Sequence, residues 1–177
     1  MKKYVTDYLF QEHQELSQLL NELAEELLAL PLARDAAERF ERIQNLCQEV
    51  SKSVETHQLE EEEIIYPALE EHLGGLGATL ERMRLEHDEG EATQKAFVQG
   101  VEALAKGGVN RQRVVQSGTT YIRWVRQHLL DENGRLFPMV ERGLDPETQR
   151  KVRQAMEELG RETTARIAPA LPGKAQA

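Results

Sequence analysis

Two stretches of this chain are written to one pattern. Residues 57–67 and 128–138 both read H-x3-E-x3-[IL]-[YF]-P, 71 positions apart, so that His57, Glu61, Ile65, Tyr66 and Pro67 are answered by His128, Glu132, Leu136, Phe137 and Pro138. The match continues upstream, where Glu12-His13 has a counterpart in Glu86-His87, 74 positions later. Self-similarity at a fixed offset marks a chain assembled from like structural units. Each half supplies one early histidine and one later His-x3-Glu, and the expectation is two helical hairpins related by a pseudo-two-fold.

The segments that carry the repeat are helical in character. Glu, Leu, Ala, Gln and Arg dominate them, and no stretch has the β-branched alternation of a strand. Breakers fall at Pro31, at Gly74-Gly75-Gly77, at Gly107-Gly108-Val109-Asn110 and at Gly143. The spacing predicts four long helices over roughly 6–30, 35–72, 77–106 and 110–142. A shorter fifth is expected from Asp145-Pro146, where Asp can cap and Pro suits the first turn, to about Gly160. The fold class is therefore all-α: an up-down-up-down four-helix bundle with a short fifth C-terminal helix over residues 1–165, followed by a flexible tail over 166–177.

Composition narrows the partners. The 177 residues make one domain, long enough to bury a core without disulfides, and the single cysteine, Cys47, excludes a disulfide scaffold. Lys and Arg number 22 against 31 Asp and Glu, a net charge of −9 that suits cations and not nucleic acid, which needs a basic face. No apolar run is long enough to span a bilayer, and Asp7, Gln11 and Glu12 interrupt the N-terminus before a signal-peptide core could form. A cytoplasmic protein without membrane or nucleic-acid partners is expected, and oligomeric state is not fixed by the sequence.

Helical geometry turns the repeat into a site. At about 100° per residue, positions i and i+4 lie about 40° apart, so His57 and Glu61 can grip one ion, as can His128 and Glu132. All four repeat histidines lie in apolar stripes. Leu46, Val50, Ile64 and Ala68 align with His57; Leu9, Phe10, Leu20 and Leu27 with His13; Leu80, Met83, Val98 and Val101 with His87; Val114, Tyr121, Trp124 and Met139 with His128. Buried there without partners, imidazoles and carboxylates would carry a desolvation penalty of several kcal/mol, which a metal ion removes.

Four histidines and two carboxylates exceed one tetrahedral ion and match two. His13, His57, His87 and His128 are assigned as terminal ligands, with Glu61 and Glu132 as bridges. Mixed imidazole and carboxylate ligation suits Fe, Mn or Zn. Glu91, four after His87, has three open roles: a further ligand, an acceptor for an imidazole N–H, or a gate for solvent. Tyr121, two turns before His128, is either a hydrogen-bonding neighbour of the metals or ordinary core. Glu62 and Glu63 are read as a solvated helix face, His72 as a surface histidine, and Cys47 as an inert thiol too far along its helix to ligate.

The arrangement His13, His57-x3-Glu61, His87, His128-x3-Glu132 on four long helices resembles the hemerythrin-like (HHE cation-binding) domains over about residues 6–142. The resemblance implies a non-haem di-iron centre of two iron ions, bridged by carboxylates and reacting with small molecules such as O2, H2O2 or NO. His13, His57, Glu61, His87, His128 and Glu132 match that family's metal positions. Two departures stand out. Oxygen-carrying members have a fifth histidine four after the third, where this chain has Glu91. They also have an aspartate five after the last histidine, where this chain has Asn133, with Glu132 at spacing four. Those changes point away from reversible oxygen carriage and toward a redox or stress role, or toward an oxygen or iron sensor without turnover. A ferritin-like carboxylate bundle would place Glu three before a histidine, but Phe10, Val54, Leu69, Arg84 and Val125 stand there.

Overall fold

A computed structural model describes residues 4–32 and 36–167, with the side chains of 164–167 outside that description. Among the described residues there is helix and no strand. The elements are α1 (Val5–Ala29) with a 3-10 turn at Leu30–Leu32, α2 (Ala36–Glu60), a π-helical turn (Glu61–Ile65), α3 (Tyr66–Leu73), α4 (Gly77–Ala105), α5 (Arg111–Gly134), α6 (Leu136–Gly143) and α7 (Pro146–Ile167). None of these helices is long and apolar enough to cross a membrane.

The second helix runs on as expected but widens into a π turn, and the fourth is interrupted at Arg135; the repeated proline explains both. A proline has no N–H to give to the carbonyl four residues before it and crowds that carbonyl. Pro67 follows a turn that widens into π geometry, with the Tyr66 N–H reaching back five residues to the Glu61 carbonyl. Pro138 follows Arg135, whose φ of −118° is stretched from the usual helical value and marks the turn between α5 and α6. The last helix also runs further than expected, past Gly160 to Ile167. As expected, Asp145 caps it: Oδ1 accepts the backbone N–H groups of Glu147 and Thr148 at 2.8 and 3.1 Å. The expected tail lies, from residue 168 onward, outside the described residues.

The helices form a bundle in which α1 packs on α2 and α5, α4 packs on α5 and meets α2 more sparingly, and α7 lies across α1 and α2. Apolar residues collect in two clusters. One holds Leu16, Leu20, Val54, Phe97, Val125 and their neighbours. The other holds Leu9, Ile65, Tyr66, Met83, Leu136 and Phe137 among others. His13, His57, His87 and His128 each fall, along their own helix, between a residue of one cluster and a residue of the other, so the polar groups form a layer that parts the core. Phe10, assigned to the stripe of His13, is 53% exposed instead, because the buried line of α1 runs through Val5, Leu9, His13, Leu16 and Leu20.

Close packing of α5 depends on a missing side chain. A Cβ on Gly118 would lie 2.6 Å from Leu27 Cδ1 and 2.8 Å from Phe97 Cε2, both in the core. Replacing Gly by Ala in a helix ordinarily gains about 1 kcal/mol, whereas overpacking a full core costs about 1–3 kcal/mol. Gly118→Ala should therefore lower stability by about 1 kcal/mol in thermal or denaturant unfolding. Gly134→Ala, where nothing lies within 4 Å of the added methyl, should leave it unchanged or raised.

Candidate metal centre

Within the polar layer all four imidazoles aim Nε2 at a common centre. His13 Nε2 and His57 Nε2 lie 3.2 Å apart, and each is 3.3 Å from Oε2 of Glu132. On the other side His128 Nε2 is 2.6 Å and His87 Nε2 4.0 Å from Oε1 of the same carboxylate. Glu61 also reaches both sides, with Oε1 3.6 Å from His57 Nε2 and Oε2 3.3 Å from His87 Nε2. Two groups result, each within ligand reach of a single ion: Glu61, His87, His128 and Glu132, and His13, His57 and Glu132. All six residues are buried.

The spacing fits a cation. Two atoms held about 2.1 Å from one ion at tetrahedral or neighbouring octahedral positions lie about 3.0–3.4 Å apart, and most of the separations above fall in that range. Satisfaction points the same way. Glu61 Oε1, His87 Nε2, His128 Nε2 and Glu132 Oε1 are buried with no hydrogen-bond partner among the described residues, an arrangement that native interiors avoid unless something else occupies the lone pairs.

The outer edges of the rings are held as well. Nδ1 of His13 donates to Asn133 Oδ1 at 3.2 Å, Nδ1 of His57 to Glu12 Oε2 at 3.3 Å, and Nδ1 of His87 to Glu62 Oε1. With a cation at the centre, such contacts would fix the tautomer and leave the Nε2 lone pair to the ion. His128 is held differently, by a ring stacked on Trp124 with centroids 4.8 Å apart. Trp124 reaches that position because α4 has glycine opposite it: a Cβ on Gly90 would lie 2.1 Å from the indole. The Tyr66 hydroxyl donates to Glu61 Oε2 at 3.2 Å, and Phe137, its repeat counterpart, lays its ring 5.1 Å from that of His13.

The charges are in conflict without a cation. Burial and then the neighbouring Glu132 raise the pKa of Glu61. Burial works against ionised Glu132 too, but the imidazoles of His128, His13 and His57 against it outweigh burial and hold that carboxyl well below its usual range. His57 is likewise raised well above the usual imidazole value, because Glu61, Glu12 and Glu132 overcome its burial. Thus Glu132 keeps the negative charge while Glu61 is pushed toward the protonated form.

Other expectations fare unevenly. Glu91 is not brought into this group. Its side chain is 57% exposed and paired with Lys95 at 2.6 Å, because the buried line of α4 passes from His87 to Gly90 and Phe97 and leaves position 91 on the rim. A groove of about 600 Å³ between α2 and α4 is lined there by Glu91, Glu62 and His87. Tyr121 is fully buried in the apolar cluster, its ring 6.1 Å from Phe97, and among the described residues no hydrogen bond or ring contact joins it to the four imidazoles. Cys47 is buried, its thiol pushed up to about 11 by desolvation. His72 is exposed, as expected.

The acidic run divides otherwise than expected, since Glu60 and Glu61 are both buried and Glu62 bonds His87. The π turn that starts at Glu61 departs from the 100° step of a regular helix and so shifts which of these glutamates face inward. Glu12, Glu60, Glu62, Tyr66 and Asn133 were thus missed. The signal for two pairs was present, in glutamates directly before His13 and His87 and in polar residues five after His57 and His128.

Glu60 accepts from the Tyr8 hydroxyl at 3.1 Å, and its carboxyl is pushed up to about 8 by burial and by Glu12. Between the ordinary glutamate value of 4.5 and about 8 the folded chain keeps a proton that the unfolded chain has released, so rising pH disfavours folding across that window. Glu60→Gln should remove this component. Urea unfolding of the chelator-treated protein should find the variant gaining on wild type as pH rises from 5 to 8, with the difference level above that.

The sequence model for the hemerythrin HHE cation-binding domain matches residues 4–140, ending within α6 and leaving out α7. No curated protein and no solved structure matches the chain. The matched stretch covers most of the chain and contains all six residues of the polar layer, and the chain belongs to the hemerythrin HHE cation-binding domain family.

Proposed function

We propose that this domain is a non-haem di-iron protein with a redox role toward dioxygen, peroxide or nitric oxide. The observation that carries the reading is the set of buried, unpartnered Nε2 and Oε atoms converging in one layer. In it His13 and His57 would hold one ion and His87 and His128 the other, with Glu61 and Glu132 placed between the two pairs. Bound iron would supply one-electron chemistry toward such small molecules. The protein's part is to fix each imidazole by its outer nitrogen, to balance the positive charge with two carboxylates, and to keep bulk water out with apolar clusters on either side. An up-down-up-down order of α1, α2, α4 and α5 belongs to the same reading and is supported by the ring of contacts among them.

With Glu91 exposed, the His87 and His128 side has two imidazoles and two carboxylates. Such a carboxylate-rich set favours the ferric state over reversible oxygen carriage. A sensor without turnover is the second reading, and α7 favours it. That helix lies beyond the family match, yet Gly160 packs against Glu60, next to Glu61, so that a change at the centre could reach an appended element.

The first experiment is metal content per chain together with the visible spectrum of the anaerobically reduced protein before and after air. Two irons and a new visible band are expected; two zincs, or less than one metal of any kind, would overturn the reading. Glu61→Ala and Glu132→Ala should each lose most of the bound metal while Glu91→Ala retains it. Steady-state peroxide decomposition no faster than that of free iron would move the assignment to the sensor.

A further inference from the structure

The four imidazoles are not equally held. His13, His57 and His87 each donate Nδ1 to an oxygen, but Nδ1 of His128 makes no hydrogen bond among the described residues. The repeat accounts for the three that are satisfied. The residue five after His57, Glu62, serves the early histidine of the other half, and the residue five after His128, Asn133, does the same in return. The residue before His13, Glu12, serves the later histidine of its own half, His57. Symmetry assigns the fourth contact to Glu86, directly before His87, with His128 as its partner.

Glu86 is engaged elsewhere. Its two oxygens accept from Arg135 Nη1 and Nη2 at 3.3 and 2.8 Å, and one also accepts from Arg82 Nε at 3.3 Å. The equivalent of Arg135 in the first half is Ile64, and no guanidinium is paired with Glu12 among the described residues. Glu86 and His128 nevertheless line one groove of about 490 Å³ between α4 and α5, beside Trp124. Side-chain exposure of 23% for Glu86 and 37% for Arg135 places both at the rim of that groove.

We propose that Glu86 is the outer acceptor for His128 and that Arg135 competes for it, so exchange of this carboxylate between the two sets how firmly His128 is oriented. The inference rests on the reading of the centre as a metal site, because it takes His128 Nε2 as a ligand. Glu86 is a positioning residue: it does not touch the ions but holds the tautomer and angle of a ring that does. The second half of the bundle thereby gains an adjustable ligand where the first half has a fixed one.

The test uses the full chain loaded with Zn(II), which is diamagnetic, and compares Glu86→Ala, Glu86→Gln, Arg135→Gln and the double variant Glu86→Ala with Arg135→Gln. Affinity is measured by competition with a chromophoric chelator, and the Nδ1–H resonance of His128 by NMR. Glu86→Ala should weaken binding about 10-fold or more and lose the resonance. Glu86→Gln should stay within about threefold of wild type and keep it, since an amide oxygen can accept as Asn133 does for His13. Arg135→Gln should tighten binding, and this gain should vanish when Glu86 is absent.

Wild-type affinity and an unchanged resonance in Glu86→Ala would overturn the proposal. So would an Arg135→Gln effect of the same size with or without Glu86. Arg135→Gln alters no ligand, so even where Glu86→Ala fails to fold, a failure of Arg135→Gln alone to tighten binding would overturn the proposal. Failure of wild type to take up any metal would instead bring down the reading of the centre itself.

Discussion

Burying six ionisable groups in one layer is the constraint to which the rest of the structure answers. Each imidazole or carboxylate placed between the two apolar clusters forfeits hydration worth several kcal/mol. The bundle meets that demand by dividing the atoms of each ring and carboxylate. Inner atoms converge within ligand distance of one another, while the outer nitrogens of His13, His57 and His87 are tied to Asn133, Glu12 and Glu62. The apolar clusters then seal the layer from both ends.

The helix breaks serve the same layer. Both fall between a His-x3-Glu pair and its proline, yet they resolve differently, as a π turn that begins at Glu61 before Pro67 and as a kink at Arg135 before Pro138. The π turn brings Glu60 and Glu61 inward together and seats Tyr66 where its hydroxyl can donate to Glu61. In the second half the kink places Arg135 against Glu86 instead. Nearly the same sequence pattern thus supports unequal surroundings.

The fold class and the converging residues were legible because they depend on periodicity. A histidine in an apolar stripe is buried whatever the details of the turn, and the repeat identified four such stripes at once. Positions that depend on local helix geometry were not legible. Glu60 and Glu62 follow from a π turn that an ideal rotation per residue cannot foresee, and Glu91 leaves the layer because the buried line on α4 steps by three after His87 to Gly90. Tyr121 shares the direction of His128 but stands two turns away, inside the apolar cluster. Angle was readable from the sequence; height along the bundle was harder to judge.

Glu132 belongs to both ligand groups, and Glu61 reaches into both. The six residues therefore cannot be separated into two sites that fail independently. Substitution energies will be non-additive throughout the layer, because removing either carboxylate alters the partners of imidazoles on both sides. Damage to one half of the layer therefore reaches the other half through Glu61 and Glu132, and the two repeated stretches of sequence are bound to one another by the carboxylates they share.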